Sequence, residues 1–143
     1  MGKINWGRLF LGGLLACVVM NLIGAVLGSL LFTKGELTRL WTTVRPLERW
    51  PTPTLVLLIS IIVSYLVGTL VVWWYAAIRP RFGPGPKTAA LAGFAFWLSA
   101  SPIQILLGGY ILEWPLRVLI TVDAMHLIQS VAATVAGAWA YRE

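Results

Sequence analysis

The stretch Asp123-Ala-Met-His126-Leu-Ile-Gln129-Ser130-Val-Ala-Ala133-Thr134-Val-Ala-Gly137 decides how the rest of the chain is read. It lies within an apolar run from about Leu116 to Trp139, long enough to cross a bilayer as a helix. At about 100° per residue, Asp123, His126, Ser130, Ala133, Thr134 and Gly137 share one narrow stripe, with Leu127, Ile128, Val131 and Val135 on the other side. A carboxylate or imidazole against acyl chains is costly, so the stripe is expected to face protein or a wet cavity.

Outward from that helix, composition places the whole chain in lipid. Hydrophobic residues make up 59% of 143, mean hydropathy is +0.84 and only 11% of residues are charged, whereas a soluble domain carries about a quarter. A span needs about 20 apolar residues, and runs at about 9–32, 53–78, 88–112 and 116–140 meet that length. The expectation is an all-α membrane protein, residues 1–143 forming a single integral membrane domain with four transmembrane helices in one bundle. The net charge of +6 comes from cations spread along the flanks of the spans, which points to lipid headgroups and away from nucleic acid. Cys17 is the only cysteine, so the chain forms neither an intrachain disulfide nor a thiolate metal cluster. Lys3 and Arg8 resemble the start of a signal peptide, but the run behind them is too long and Leu30-Leu31-Phe32 is a poor cleavage site; a retained first span is expected.

In the first span Gly13, Cys17, Asn21, Gly24 and Gly28 share a face, and Gly24 to Gly28 has the spacing that lets two helices approach closely. Packing within the bundle and a homodimer seam both account for it. Residues 33–52 carry Leu37, Leu40, Trp41 and Val44 at helical spacing, which reads either as a short interfacial helix between spans 1 and 2 or as a loop anchored by Trp41 and Trp50. The second span presents Ser60, Ser64 and Gly68 and ends in the aromatic belt Trp73-Trp74-Tyr75. The segment Arg79-Pro-Arg81-Phe-Gly83-Pro-Gly85-Pro-Lys87 is expected to be free of helix, with Arg79, Arg81 and Lys87 on lipid headgroups. Its glycines do not fit a phosphate-binding loop. Pro102 is expected to kink the third span, on which Trp97, Ser101, Gln104 and Gly108 share a face. The helix-packing positions are thus Gly13, Gly24, Gly28, Gly68, Gly108 and Gly137.

Two internal matches outline a two-plus-two repeat. Arg8-Leu-Phe-Leu-Gly-Gly13 resembles Thr88-Ala-Ala-Leu-Ala-Gly93, and Thr69-x4-Trp74 resembles Thr134-x4-Trp139. With two spans per half, the halves would be related about the membrane normal. Cations favour both termini inside by a narrow margin: Lys3, Arg8, Arg79, Arg81, Lys87 and Arg142 against Lys34, Arg39, Arg45, Arg49 and Arg117.

The intramembrane polar residues are Asp123, His126, Asn21, Gln104, Ser101 and Ser130. By depth, Asn21 is expected near His126, and Asp123 near Gln104 or Ser101. A proton or ligand site and plain interhelical hydrogen bonding both fit this set. A metal needs three or four ligands, and only Asp123, His126 and the distant Glu113 are candidates. No metal and no cofactor is therefore expected; haem on the single His126 would need a partner chain or an open position. No serine sits in a nucleophilic signature, so no catalytic residue is assigned.

The segment Trp74-Tyr75-Ala-Ala-Ile-Arg79-Pro-Arg81-Phe-Gly83-Pro-Gly85-Pro-Lys87-Thr88 resembles a group of short bacterial hypothetical membrane proteins. So do Gly137-Ala-Trp139-Ala-Tyr141-Arg142-Glu143 and Lys3-Ile-Asn-Trp6 with Leu11-Gly-Gly-Leu-Leu. The resemblance implies a four-helix protein of the bacterial inner membrane and assigns no activity to any residue. Three functions follow as expectations. The leading one is a non-catalytic scaffold or accessory subunit, packing with itself or with a larger membrane complex. A small transporter or proton conduit using Asp123 and His126 is the second, and a haem- or quinone-handling protein the third.

Overall fold

Asn5 caps the first helix, its side-chain oxygen accepting from the Arg8 amide at 3.2 Å, and α1 runs over Trp6–Leu31. The computed structural model describes residues 4–36, 53–111 and 113–141. Within them follow α2 (Pro53–Phe82), α3 (Pro86–Leu106) with a π-helical turn at Leu107–Ile111, and α4 (Leu116–Ala140). No strand occurs among the described residues. The four helices hold candidate spans of 25 or 26 residues, each with an 18-residue core whose mean hydropathy is 2.4, 2.2, 1.6 and 1.6 in chain order. At about 1.5 Å per residue these exceed the roughly 30 Å hydrocarbon layer. Leu22, Leu30, Ile62, Ile103 and Ile120 all point outward, a surface that suits acyl chains and not water. The chain is a multi-pass, all-α membrane protein.

The expectation that residues 79–87 lack helix is corrected. Helix α2 continues to Phe82, and α3 begins at Pro86. Pro80 lacks the amide that would bond the Ala76 carbonyl, so α2 passes it one hydrogen bond short and ends within the next turn. The Gly83 amide still closes on the Arg79 carbonyl at 2.9 Å. The reversal is confined to Gly83-Pro84-Gly85, where φ is +79° at Gly83 and +140° at Gly85, a backbone that only glycine adopts readily. Pro86 then opens α3 with its φ already helical. Arg79 and Arg81 fall in the last turn of α2, beside the negative end of its dipole. Pro102 does not end α3; the departure from α geometry comes after it, in the π-helical turn. The interfacial segment expected at 33–52 lies outside the described residues except for its start.

Around the bundle the order is α1, α2, α3, α4, with α2 and α3 the least closely joined of the neighbours. At the end where Ile4, Phe82, Pro86 and Tyr141 gather, here the terminal end, glycines bring backbones into contact. A methyl on Gly12 would lie 2.7 Å from the Gly137 carbonyl, and one on Gly137 would lie 2.8 Å from the Gly12 carbonyl. On Gly68 it would meet the Gly13 carbonyl at 2.6 Å, and on Gly93 the Ser130 carbonyl at 2.6 Å. Gly108 packs on Leu119 and Trp114, and Gly24 on the Gln129 side chain. Gly28 is the correction within this set: nothing lies within 4 Å of a methyl placed there. The distal half of α1 spreads from its neighbours, and the residue meets no helix.

The two halves of the chain repeat this packing. Gly13 of α1 packs on Thr69 of α2, and Gly93 of α3 packs on Thr134 of α4. Each threonine hydroxyl donates one turn back, Thr69 to the Tyr65 carbonyl at 2.9 Å and Thr134 to the Ser130 carbonyl at 2.6 Å. Extending the match by position, Gly12 and Gly137 at the α1–α4 seam correspond to Ala92 of α3 and Val72 of α2. Both of those are fully buried. The Val72 methyls lie against Gly12 and Gly137, so this side chain fills the space that the α1–α4 glycines leave.

At the distal end Thr33-Lys-Gly-Glu36 forms a capping box. The Glu36 carboxylate accepts from the Thr33 amide at 2.9 Å, and the Thr33 hydroxyl accepts from the Glu36 amide at 3.2 Å. Arg117 at the start of α4 lies 3.8 Å from the same carboxylate. Hydrogen bonds from Thr33, with a lesser contribution from Arg117, hold the Glu36 pKa below its ordinary value of 4.5.

Two outcomes follow. In reversible unfolding from mixed micelles, Gly137→Ala is expected to cost about 1–3 kcal/mol by overpacking; Gly28→Ala is expected to be neutral or to stabilise by up to about 1 kcal/mol. Equal costs at the two positions would contradict the packing described. The contribution of Glu36 is complete above pH 4.5 and fades as pH falls through its lower folded value. The melting-temperature difference between wild type and Glu36→Gln should therefore hold from pH 7 down to about 4.5, shrink below that, and be gone once pH is under the folded value.

Candidate functional site

From Thr54 to Val63 every described side chain of α2 is exposed. The helix leaves the bundle as it approaches the distal end, and the parting of α2 from α3 opens a crevice of about 580 Å³. Its walls are mostly apolar, with Asn21, Ser64, Trp97, Gln104, His126 and Gln129 converging from all four helices. These positions lie near the middle of their spans. Pockets of this size and makeup, apolar with a few placed polar groups, are the usual form of small-molecule sites.

Each polar group has a definite role. The Ser101 hydroxyl donates to the Asp123 carboxylate at 2.6 Å, and the Trp97 indole N–H donates to the Asp123 carbonyl at 3.1 Å. Trp97 and Ser101 stand one turn apart on α3, so both reach the same residue of α4. Asp123 is thus tied to α3 and is not among the residues lining the crevice. One turn along, His126 Nδ1 and Gln104 Oε1 pair at 2.5 Å. The Gln129 amide nitrogen donates to the Met20 carbonyl of α1 at 3.1 Å, and the Ser130 hydroxyl donates within its own helix to Leu127 at 3.0 Å.

The Asp123–Ser101 pairing matches the expectation from depth, and two others are rearranged. Gln104 bonds His126 rather than Asp123. Asn21 does not reach His126; its amide nitrogen donates one turn back to the Cys17 carbonyl at 2.9 Å. Asn21 and His126 instead face each other's side of the same crevice. The link between α1 and α4 is made by Gln129, which lies outside the stripe drawn from Asp123 and was missed for that reason. The available signal was its depth: in an antiparallel pair anchored at Gly12–Gly137, position 129 stands opposite position 20. Among the glycines, Gly12 and Gly93 were not among the packing positions expected, and both approach a neighbouring backbone.

Among the described residues no three His, Cys, Asp or Glu side chains come together in a metal-binding group. At the terminal end a second cleft of about 550 Å³ is lined by Arg79, Tyr75, Trp139, Tyr141 and the Gly85-Pro86 turn. Arg81 and Lys87 are exposed near that turn.

Comparison of the chain with protein-family models, with characterised proteins and with solved structures gives no match. The class defined by fold and site is that of a four-helix integral membrane protein with an uncharged polar crevice at mid-depth.

Removing the Ser101 hydroxyl leaves Asp123 short of a donor. A double-mutant cycle on Ser101→Ala and Asp123→Asn is expected to show a coupling of about 0.5–2 kcal/mol. Additive single effects would mean that the pair does not hold α3 to α4.

Proposed function

We propose that the protein is a non-catalytic accessory protein of the bacterial inner membrane that holds a membrane-soluble small molecule in the crevice, with both termini in the cytoplasm. The observation that carries this reading is the convergence of amide, imidazole and hydroxyl groups from four helices on a space that opens between α2 and α3. Polar groups exposed in hydrocarbon need a partner, and a bound amphiphile supplies one. The sole histidine bonds an amide and not a hydroxyl or thiol, which supports binding over nucleophilic chemistry. Apart from Gly28, the glycines expected to pack do so on this chain's own helices.

A conduit fits less well. Toward the terminal end Leu9, Val71, Val72 and Thr134 are almost wholly buried between touching backbones. Asp123 is held by the Ser101 hydroxyl and is not itself among the residues lining the crevice, which supports binding over a proton path. Narrow as the cation bias is, Arg79, Arg81 and Lys87 at the same end as the chain termini favour the cytoplasmic side.

Native mass spectrometry of the protein extracted in mild detergent tests this. Wild type is expected to retain a discrete noncovalent adduct that Asn21→Leu combined with Gln104→Leu abolishes, while proteoliposomes show proton leak at the protein-free level. A bare polypeptide mass, or leak well above that level, would overturn the reading.

A further inference from the structure

Resting on that reading of the crevice, the hydrogen-bonding groups left over there narrow the kind of molecule it takes. Asn21 and Gln129 each commit the amide nitrogen to a backbone carbonyl of α1, Asn21 to Cys17 and Gln129 to Met20. A carbonyl only accepts, so the orientation of both amides is settled. Each leaves its oxygen as the group without a hydrogen bond among the described residues, and both residues line the crevice. His126 adds to them. With Gln104 Oε1 accepting from Nδ1–H, the imidazole Nε2 stands as a third acceptor. Gln129 keeps its second amide N–H, which with the Gln104 amide nitrogen and the Ser64 hydroxyl makes up the donors that remain on the walls.

The charge pattern limits the ligand further. Among the described residues no Lys, Arg, Asp or Glu lines the crevice. A phosphate or carboxylate would find no cation, and an ammonium would find no carboxylate, because that of Asp123 is engaged by Ser101. We propose that the crevice binds a neutral, hydroxyl-bearing amphiphile, an alcohol or phenol whose O–H donates to the oxygens of Asn21 and Gln129, its hydrocarbon chain leaving between α2 and α3. The exit is where α2 carries exposed side chains from Thr54 to Val63 and where the seam with α3 is loosest. Trp97 and Phe96 form an apolar wall for the part of the chain nearest the headgroup.

The test uses the full chain in nanodiscs and four long-chain diazirine probes that differ only at the head: an alcohol, its methyl ether, a primary amine and a phosphate monoester. After photolysis the labelled positions are mapped by peptide mass spectrometry. The alcohol is expected to label residues 20–25, 63–67 and 96–104 about five- to tenfold more than the ether, the amine or the phosphate. Asn21→Leu, whose lost bond is internal to α1, should reduce the alcohol signal toward that of the ether. Crevice labelling equal for alcohol and ether, or stronger for amine or phosphate, would overturn the hydroxyl assignment and leave the binding role standing. Labelling confined to the outer faces of the helices with every probe would overturn the crevice as a binding site altogether. The probe comparison is made on wild type, so it does not depend on any variant folding.

Discussion

The backbone contact between Gly12 and Gly137 is the constraint on which the rest of the bundle depends. In hydrocarbon, burying one apolar side chain against another gains little over contact with lipid, so association rests on close packing and on hydrogen bonds. Glycine supplies the first of these at the terminal end, where Gly13, Gly68 and Gly93 add their own backbone contacts. With that end locked, the helices diverge toward the distal end. The bundle is therefore tight on one side of the membrane and open in the middle.

The opening has a side as well as a depth. Two helical hairpins repeat the same glycine-on-threonine contact, Gly13 on Thr69 and Gly93 on Thr134. The seams between the hairpins are unequal: one joins Gly12 to Gly137 with Val72 packed on both, and the other, between α2 and α3, is looser. The polar residues follow this asymmetry: α3 and α4 are held together through Ser101, Trp97 and Gln104, and α1 and α4 through Gln129. Helix α2 contributes Ser64 to the crevice while its distal half stands apart from the bundle.

This arrangement keeps the carboxylate of Asp123 off the walls of the crevice. Asp123 is the costly group in the hydrocarbon, and it is paired across a seam that is closed. The groups that face the open space are amides, an imidazole and hydroxyls, each cheaper to expose and each with hydrogen-bonding capacity left over. A crevice of this composition selects by hydrogen bonds and shape rather than by charge.

Sequence by itself determined the solvent, the number of crossings and the stripe of α4 that turns inward, because apolar run length and helical periodicity are local properties of the chain. It also indicated that Asp123 lies within reach of Ser101, since depth in a span follows from counting residues. The extent of helix past Pro80 was less legible, as a proline near a helix end is tolerated where one in the interior is not. Tertiary structure alone decided which polar residues pair, that Gly28 packs on nothing, and that α2 parts from α3. Those outcomes depend on how helices are rotated and tilted against one another, and in lipid that is settled by contacts between residues far apart in the chain.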